Sequence, residues 1–354
     1  MTLVFDHTTL GQRVLFGTGS AVDNALVALS DLAASRVLIV AGGSWGHVAD
    51  AVAEGVGVVG RIEDVVPHVP AENARRAVAA AIACSADAVL TIGGGSATGL
   101  GKIVARETRL PVVAVPTTFA GSEATNVWGT TEAGRKTTGV DEKVLPRAIV
   151  YDAALLASMP ARLAVSSGMN AIAHAIDGLW APRADPVNRA MGTEGLRALV
   201  AGLRAMVAQP DSVEAREQAL YGAYLAAVAF ASAGSGLHHK ICHALGGMYD
   251  LPHAETHSVV IGYVTAFNAG DAPDAAQRVT AALGATGSAG TALQALRREL
   301  GTPASLQQLG LREGDIEPAV DVILPSIPEG NPRPVTRHDL RGLLRAAWSG
   351  EEVD

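Results

Sequence analysis

The sequence predicts two domains, an α/β domain with a parallel sheet over residues 1–156 and an all-α domain over 157–354. Three observations carry this reading. The length of 354 residues exceeds the roughly 100 to 200 residues typical of one domain. From Arg36 to Asp152, short β-branched runs alternate with longer Ala-rich stretches. Beyond Asp152 those runs cease, and helix-length segments follow one another, punctuated by Pro and Gly.

Taken in order, Val37-Leu38-Ile39-Val40 ends at Gly42-Gly43, and Ala88-Val89-Leu90-Thr91-Ile92 ends at Gly93-Gly94-Gly95. Val112-Val113-Ala114-Val115 ends at Pro116-Thr117-Thr118, and Ala148-Ile149-Val150-Tyr151 ends at Asp152. Each run is apolar without alternation, as a strand covered on both faces must be, and segment 71–86 supplies a helix for a crossover connection. Such sheets bind ligands at the carboxyl ends of their strands, where each of these Gly and Thr clusters falls. In the second half, helices are expected over 161–179, 186–208, 212–232 and 236–245, with more toward the C-terminus. Segment 324–334 carries four prolines and reads as a stiff, non-helical loop placed to wall a site. The site itself is expected in the cleft between the domains.

Composition excludes several classes. Hydrophobic residues make up 49%, charged residues 18% and aromatics 4%, which rules out disorder, coiled coil and collagen. The net charge of −8 offers no global positive field for a nucleic acid or an anionic membrane, so a small-molecule partner is expected. Two cysteines cannot build a disulfide framework, which points to a reduced, cytoplasmic compartment. The first residues show neither a basic region nor a long apolar stretch of a signal peptide. The longest uncharged run, 218–239, is rich in Ala, Gly and Ser and ends in His-His-Lys, so it reads as a buried helix rather than a span. Only four lysines occur, Lys102, Lys136, Lys143 and Lys240, while five of the ten histidines fall between His238 and His257.

Two clusters on the predicted sheet edge suit a nucleotide. Gly94, Gly95 and Ser96 open a helix after a buried strand, where free N–H groups and the helix dipole favour a phosphate. The spacing is neither a Walker sequence nor G-x-G-x-x-G, and a plain tight turn is the alternative. Thr117, Thr118 and Ser122 supply hydroxyls at the next strand end, and Lys136 follows downstream; an ordinary loop with Ser122 capping a helix is the bland reading. In the helical half, Asn170 and His174 stand four apart, as do His239 and His243, so each pair shares a helix face. His253 follows in Leu251-Pro252-His253. Converging imidazoles suit either a transition metal or proton transfer near neutral pH.

These motifs together resemble the iron-containing (group III) alcohol dehydrogenases over nearly the whole chain. The resemblance implies a Rossmann-like nicotinamide-nucleotide domain followed by a helical domain similar to dehydroquinate synthase, with metal and substrate between them. The family's glycine loop usually continues to Asp and then Ala-Lys, where this chain has Gly99 and Gly101-Lys102; its first metal ligand is Asp, where this chain has Asn170. Those departures, with Phe119-Ala120-Gly121-Ser122-Glu123, Gly236-Leu237-His238-His239-Lys240 and Asn331-Pro332-Arg333-Pro334, are similar to the maleylacetate reductase branch. That branch implies reduction of the C=C bond of 2-maleylacetate to 3-oxoadipate in aromatic-compound degradation, with NADH or NADPH and no required metal. The alternative is a metal-dependent alcohol dehydrogenase of the same fold, with a metal at Asn170, His174, His239 and His253.

A neutral amide in place of an anionic ligand weakens metal binding, and an enone accepts hydride as an enolate without needing a Lewis acid. On the branch reading His243 sits at the nicotinamide end and His253 stabilises the enolate or donates the proton, with His174 and His239 lining the pocket and Asn170 among the substrate contacts. A dicarboxylate substrate calls for local positive charge, for which Lys240, His238, Arg333 and Arg337 are candidates; a surface ion pair is the alternative for both arginines. Gly42 and Gly43 stand where an acidic residue would grip the adenosine 2′-hydroxyl, so strict NAD preference is not expected. The family also suggests a homodimer.

Overall fold

The computed structural model of the chain describes residues 3–132 and 135–353. Its strands are β1 (Arg13–Phe16), β2 (Val37–Ala41), β3 (Val58–Ile62), β4 (Ala88–Gly93), β5 (Val112–Pro116), β6 (Val127–Glu132), β7 (Arg135–Val140) and β8 (Ala148–Tyr151). Six of them form one sheet in the order β1-β8-β5-β4-β2-β3, with every neighbouring pair parallel. β6 and β7 pair antiparallel in a separate two-stranded sheet.

Helices cover both faces of the large sheet, which explains its continuous apolar strands. Val37, Ile39 and Ala41 of β2 join α1 (Ala21–Asp31) and α2 (Gly46–Ala53) in one core, while Leu38 and Val40 join α3 (Ala71–Ala83) and α4 (Gly95–Thr108) in another. β4 divides the same way, Leu90 and Ile92 toward the first core and Val89 toward the second. The chain runs from β2 outward to the edge strand β3 and then returns to set β4 on the other side of β2. A reversal of this kind marks the carboxyl ends of β2 and β4 as the ligand-binding edge.

The four predicted strands are β2, β4, β5 and β8. The edge strands β1 and β3 mix exposed with half-buried positions and so lack an apolar run, and β6 and β7 are rich in Thr and Gly. All four lie outside the sequence-based expectation.

The remaining helices are α5 (Ala161–Trp180), α6 (Pro186–Ala208), α7 (Val213–Ala233), α8 (Leu237–Tyr249), α9 (His253–Ala269), α10 (Pro273–Leu283), α11 (Ala289–Glu299), α12 (Ile316–Ile323) and α13 (Arg337–Ser349). The chain divides into two compact units, Leu10–Met159 and a helical unit of residues from Pro160 onward together with those up to Thr9. The leading segment joins the helices through His7, whose Nδ1 lies 2.8 Å from Asp185 Oδ2, and through Ser232 Oγ, which donates to the Thr8 carbonyl at 3.4 Å.

Within the helical unit α5 is buried at every position from Ala164 to Trp180. α6 and α7 cross with backbones in contact, since a Cβ on Gly195 would lie 2.9 Å from Ala226 N and one on Gly222 2.7 Å from Leu199 N. Gly234, at φ +95°, ends α7, and α8 leaves at 97° to it. No single helix among the described residues is long and apolar enough to cross a membrane. α8, α9, α12 and α13 share an apolar core built on Ile241, Leu245, Val260, Ile323 and Leu344. The proline-rich segment is not wholly non-helical, because Leu324–Ser326 forms one 3-10 turn. Proline at its second residue needs no N–H there, which is why the turn tolerates it.

Candidate active site

In the α/β unit, Gly42 and Gly43 follow β2, with Gly42 extended ahead of a 3-10 turn over Gly43–Trp45. A side chain at either would meet nothing within 4 Å, so neither glycine is required by packing inside the chain. The turn after β4 differs. Gly93 has φ +149°, and a Cβ on Gly94 would lie 2.9 Å from Thr118 Cγ2. The glycines therefore let the start of α4 press against the loop after β5. No side chain caps α4, which leaves the first-turn amides of Gly95, Ser96 and Ala97 as donors of the kind that phosphate oxygens accept from.

Thr117 is buried and its N–H donates to the Gly93 carbonyl at 3.0 Å, while Thr118 and Ser122 are half-buried. Ser122 does not cap a helix; Gly121, at φ +72°, takes the capping position of the 3-10 turn Ser122–Ala124. Lys136 lies in β7, and its side chain falls outside the described residues. Lys102 does not face the glycine turn's ligand side. It is fully buried and donates to Thr125 Oγ1 at 3.0 Å and the Val127 carbonyl at 2.8 Å, tying α4 to the loop after β5. Burial pulls its pKa down to about 7, against the pull of Glu123. Tyr151 donates to Glu123 Oε1 at 2.8 Å, and burial raises that carboxyl above its ordinary range.

In the helical unit, α5, α8 and α9 bring six imidazoles together. His174 and His239 stack at 4.9 Å between ring centroids and 14° between planes, and His243 stacks on His253 at 5.9 Å and 19°. His257 stands at the centre, 4.3 Å from His253 and 4.8 Å from both His238 and His239. The i,i+4 spacing on α8 and on α9 produces this, each helix presenting two imidazoles on one face.

One carboxylate orders the cluster. His239 Nδ1–H donates to Asp177 Oδ2 at 2.6 Å, and the Gly236 N–H donates to the same oxygen at 2.9 Å. Gly236 is required here, since a Cβ would lie 2.6 Å from Asp177 Oδ1. With its proton on Nδ1, His239 keeps a lone pair on Nε2, which is buried and has no partner. Burial raises the Asp177 carboxyl and lowers His239 well below the ordinary imidazole range. Burial also lowers His174 and His238 to about 4 and holds His257 well below the ordinary imidazole range, which leaves these three imidazoles neutral at pH 7.

That neutrality corrects one expectation. His238 supplies no positive charge, because it is fully buried and its Nε2–H donates to the His257 carbonyl at 3.1 Å. Arg337 is engaged by Glu317 and Asp321, and Arg333 lies 3.2 Å from Asp339 while stacking on Phe267 at 4.3 Å. Both arginines are thus surface ion pairs. Lys240, half-buried on α8 beside His239, sits within the cluster's own helix. Sequence reasoning gave no role to Asp177 or His257. The available signal for the first was the single carboxylate of α5, three residues after His174.

Asn170 Oδ1 and His174 Nδ1 are buried without partners, so this wall of the cluster is polar. The set Asn170, His174, His239 and His253 nevertheless does not fit an iron site. It contains no anionic donor, and His174 belongs to neither of the groups in which three donor atoms lie within 4.8 Å of one another: His238, His239 and His257, or His243, His253 and His257.

Comparison with known proteins agrees with both units. Residues 11–153 match the family model for iron-containing alcohol dehydrogenase, and residues 164–348 match the Fe-containing alcohol dehydrogenase family, C-terminal. The maleylacetate reductase of Rhizobium sp. (strain MTP-10005) is 41% identical over 98% of each chain, and its crystal structure superposes with a TM-score of 0.93 over 99% of this chain and all of that one. An iron-containing alcohol dehydrogenase from Corynebacterium glutamicum is 51% identical, with a TM-score of 0.95 over 99% of this chain and 98% of that one. The chain belongs to the iron-containing alcohol dehydrogenase family.

Proposed function

We propose that this chain is an NAD(P)H-dependent oxidoreductase that reduces the C=C bond of 2-maleylacetate to give 3-oxoadipate. Full-length identity near 40% to several maleylacetate reductases supports the substrate. The observation that carries the chemistry is the cluster of neutral imidazoles around Asp177–His239, assembled without an anionic ligand set for iron.

When bound, the dihydronicotinamide would supply hydride to the carbon β to the ketone, with the C=C electron pair moving to form an enolate. His253, in its protonated form, would give its proton to the α carbon as the enolate collapses to the ketone, and would take another from solvent before the next turnover. His243, stacked on His253, is assigned to the side that receives the hydride donor, and the Nε2 face of His239 with His174 lines the pocket. Asn170 offers its amide to the substrate, and Lys240 is the favoured partner of a substrate carboxylate. Gly42, Gly43, Gly94, Gly95, Ser96, Thr117, Thr118, Ser122 and Lys136 are assigned to the nucleotide. The chemistry as written requires no metal, and a cytoplasmic homodimer completes the reading.

His253→Ala tests the proton donor. A loss of about 10²- to 10⁴-fold in kcat is expected for a general acid; near wild-type kcat removes the assignment. With no acid after β2, kcat/KM for NADH and NADPH should agree within about a hundredfold, or ~2.7 kcal/mol, and a wider gap contradicts the dual-cofactor reading.

A further inference from the structure

From Lys102, on the second turn of α4, a chain of hydrogen bonds runs into the loop after β5. Nζ donates to Thr125 Oγ1 at 3.0 Å, and that hydroxyl donates onward to the Ser122 carbonyl at 3.2 Å. Thr125 Oγ1 also accepts from the Val127 N–H at 3.3 Å, while the Val127 carbonyl is a second acceptor for Nζ at 2.8 Å. Lys102 and Thr125 are both buried, so water is not at hand to replace a lost partner. Burying an amine sacrifices hydration that an apolar side chain of similar length does not lose, so the hydrogen bonds rather than the volume account for a lysine here. Glu123, the residue after Ser122, is held from two further places: Tyr151 of β8 donates to its Oε1 at 2.8 Å, and Gln12 Nε2 donates to its carbonyl at 2.8 Å. Ahead of Ser122 the loop presses on the start of α4, where a Cβ on Gly95 would lie 3.3 Å from Ala120 Cβ.

We propose that Lys102 is a positioning residue for the nucleotide: acting through Thr125, it fixes the backbone at Ser122, so that the loop carrying Thr117, Thr118 and Ser122 is ordered before NADH or NADPH arrives. This role rests on the assignment of that loop to the nucleotide and not on the identity of the substrate. Without the amine, the Thr125 hydroxyl is free to turn from Ser122, and ordering of the loop is then charged against binding.

Binding of NADH to the full chain, followed by the fluorescence of the dihydronicotinamide with no substrate present, tests the role. Lys102→Met should raise the Kd for NADH about tenfold or more, and Thr125→Val, which keeps the shape and loses the hydroxyl, should do likewise. The double variant should bind no more weakly than the weaker single variant, because both break one chain of hydrogen bonds. With maleylacetate at saturating NADH, kcat should stay within about twofold of wild type, a split that a general loss of structure does not produce. Thr125→Val decides the matter if Lys102→Met does not fold. A Kd within about twofold of wild type in Thr125→Val would overturn the proposal, as would losses that multiply in the double variant or a fall in kcat as large as the rise in Kd. A wild type that binds NADH but leaves maleylacetate unreduced refutes the substrate while the comparison of Kd values stands; one that binds no NADH refutes the nucleotide assignment and this role with it.

Discussion

Asp177 is the single carboxylate in a helix of 20 residues, and it is fully buried. Its hydrogen bond fixes the tautomer of His239, which is how a carboxylate acts on an imidazole without itself reacting. Asp177→Asn can turn its amide N–H toward the ring and favour the wrong tautomer. We expect kcat to fall about 10- to 100-fold with the KM for NADH unchanged; a kcat within a factor of about two of wild type would show that the carboxylate does not position His239. Gly236→Ala forces a methyl group against the same carboxylate and should cost about 1–3 kcal/mol of stability, measured by denaturant unfolding. Lys102 gives a pH signature. Its folded pKa of about 7 lies below the ordinary 10.5, so the unfolded chain binds more protons between those values, and stability gains from this group as pH rises through that window. Lys102→Met should remove a slope of up to about 1.4 kcal/mol per pH unit from unfolding free energies above pH 7, and an unchanged slope would show the lysine to be charged in the fold.

At the scale of elements, the strand-to-helix turn after β4 and the two histidine helices do the positioning. Gly94 lets the amides of α4 stand clear beside Thr118, so Gly94→Val should raise the KM for NADH about tenfold or more while kcat changes less. Steady-state kinetics with varied NADH checks this, and an unchanged KM would remove the phosphate role. These elements were also the legible ones. A strand covered on both faces is apolar throughout, so β2, β4, β5 and β8 announce themselves, and the helices from α5 to α8 follow from long Ala-rich stretches between Pro and Gly. β1 and β3 escape detection because a half-exposed edge strand carries no continuous pattern, and β6 and β7 because Thr and Gly read as loop. The histidine spacing on α8 was legible, whereas the tie between Asp177 and His239 joins residues 62 apart in sequence, which no local pattern records. Burial, invisible in the sequence, is what turned His238 from a presumed cation into a neutral donor.

For the molecule as a whole, an acidic chain with few lysines places glycine and threonine turns at the strand ends of one unit and a cluster of six histidines in the other. On the proposed function this cluster assists reduction of an enone without help from a metal. The direct test follows absorbance at the NADH band with 2-maleylacetate and with a simple aldehyde, each before and after exhaustive chelation. Rapid NADH loss is expected with maleylacetate, unchanged by the chelator, and little with the aldehyde. Turnover of the aldehyde that chelation abolishes, with none of maleylacetate, would contradict it.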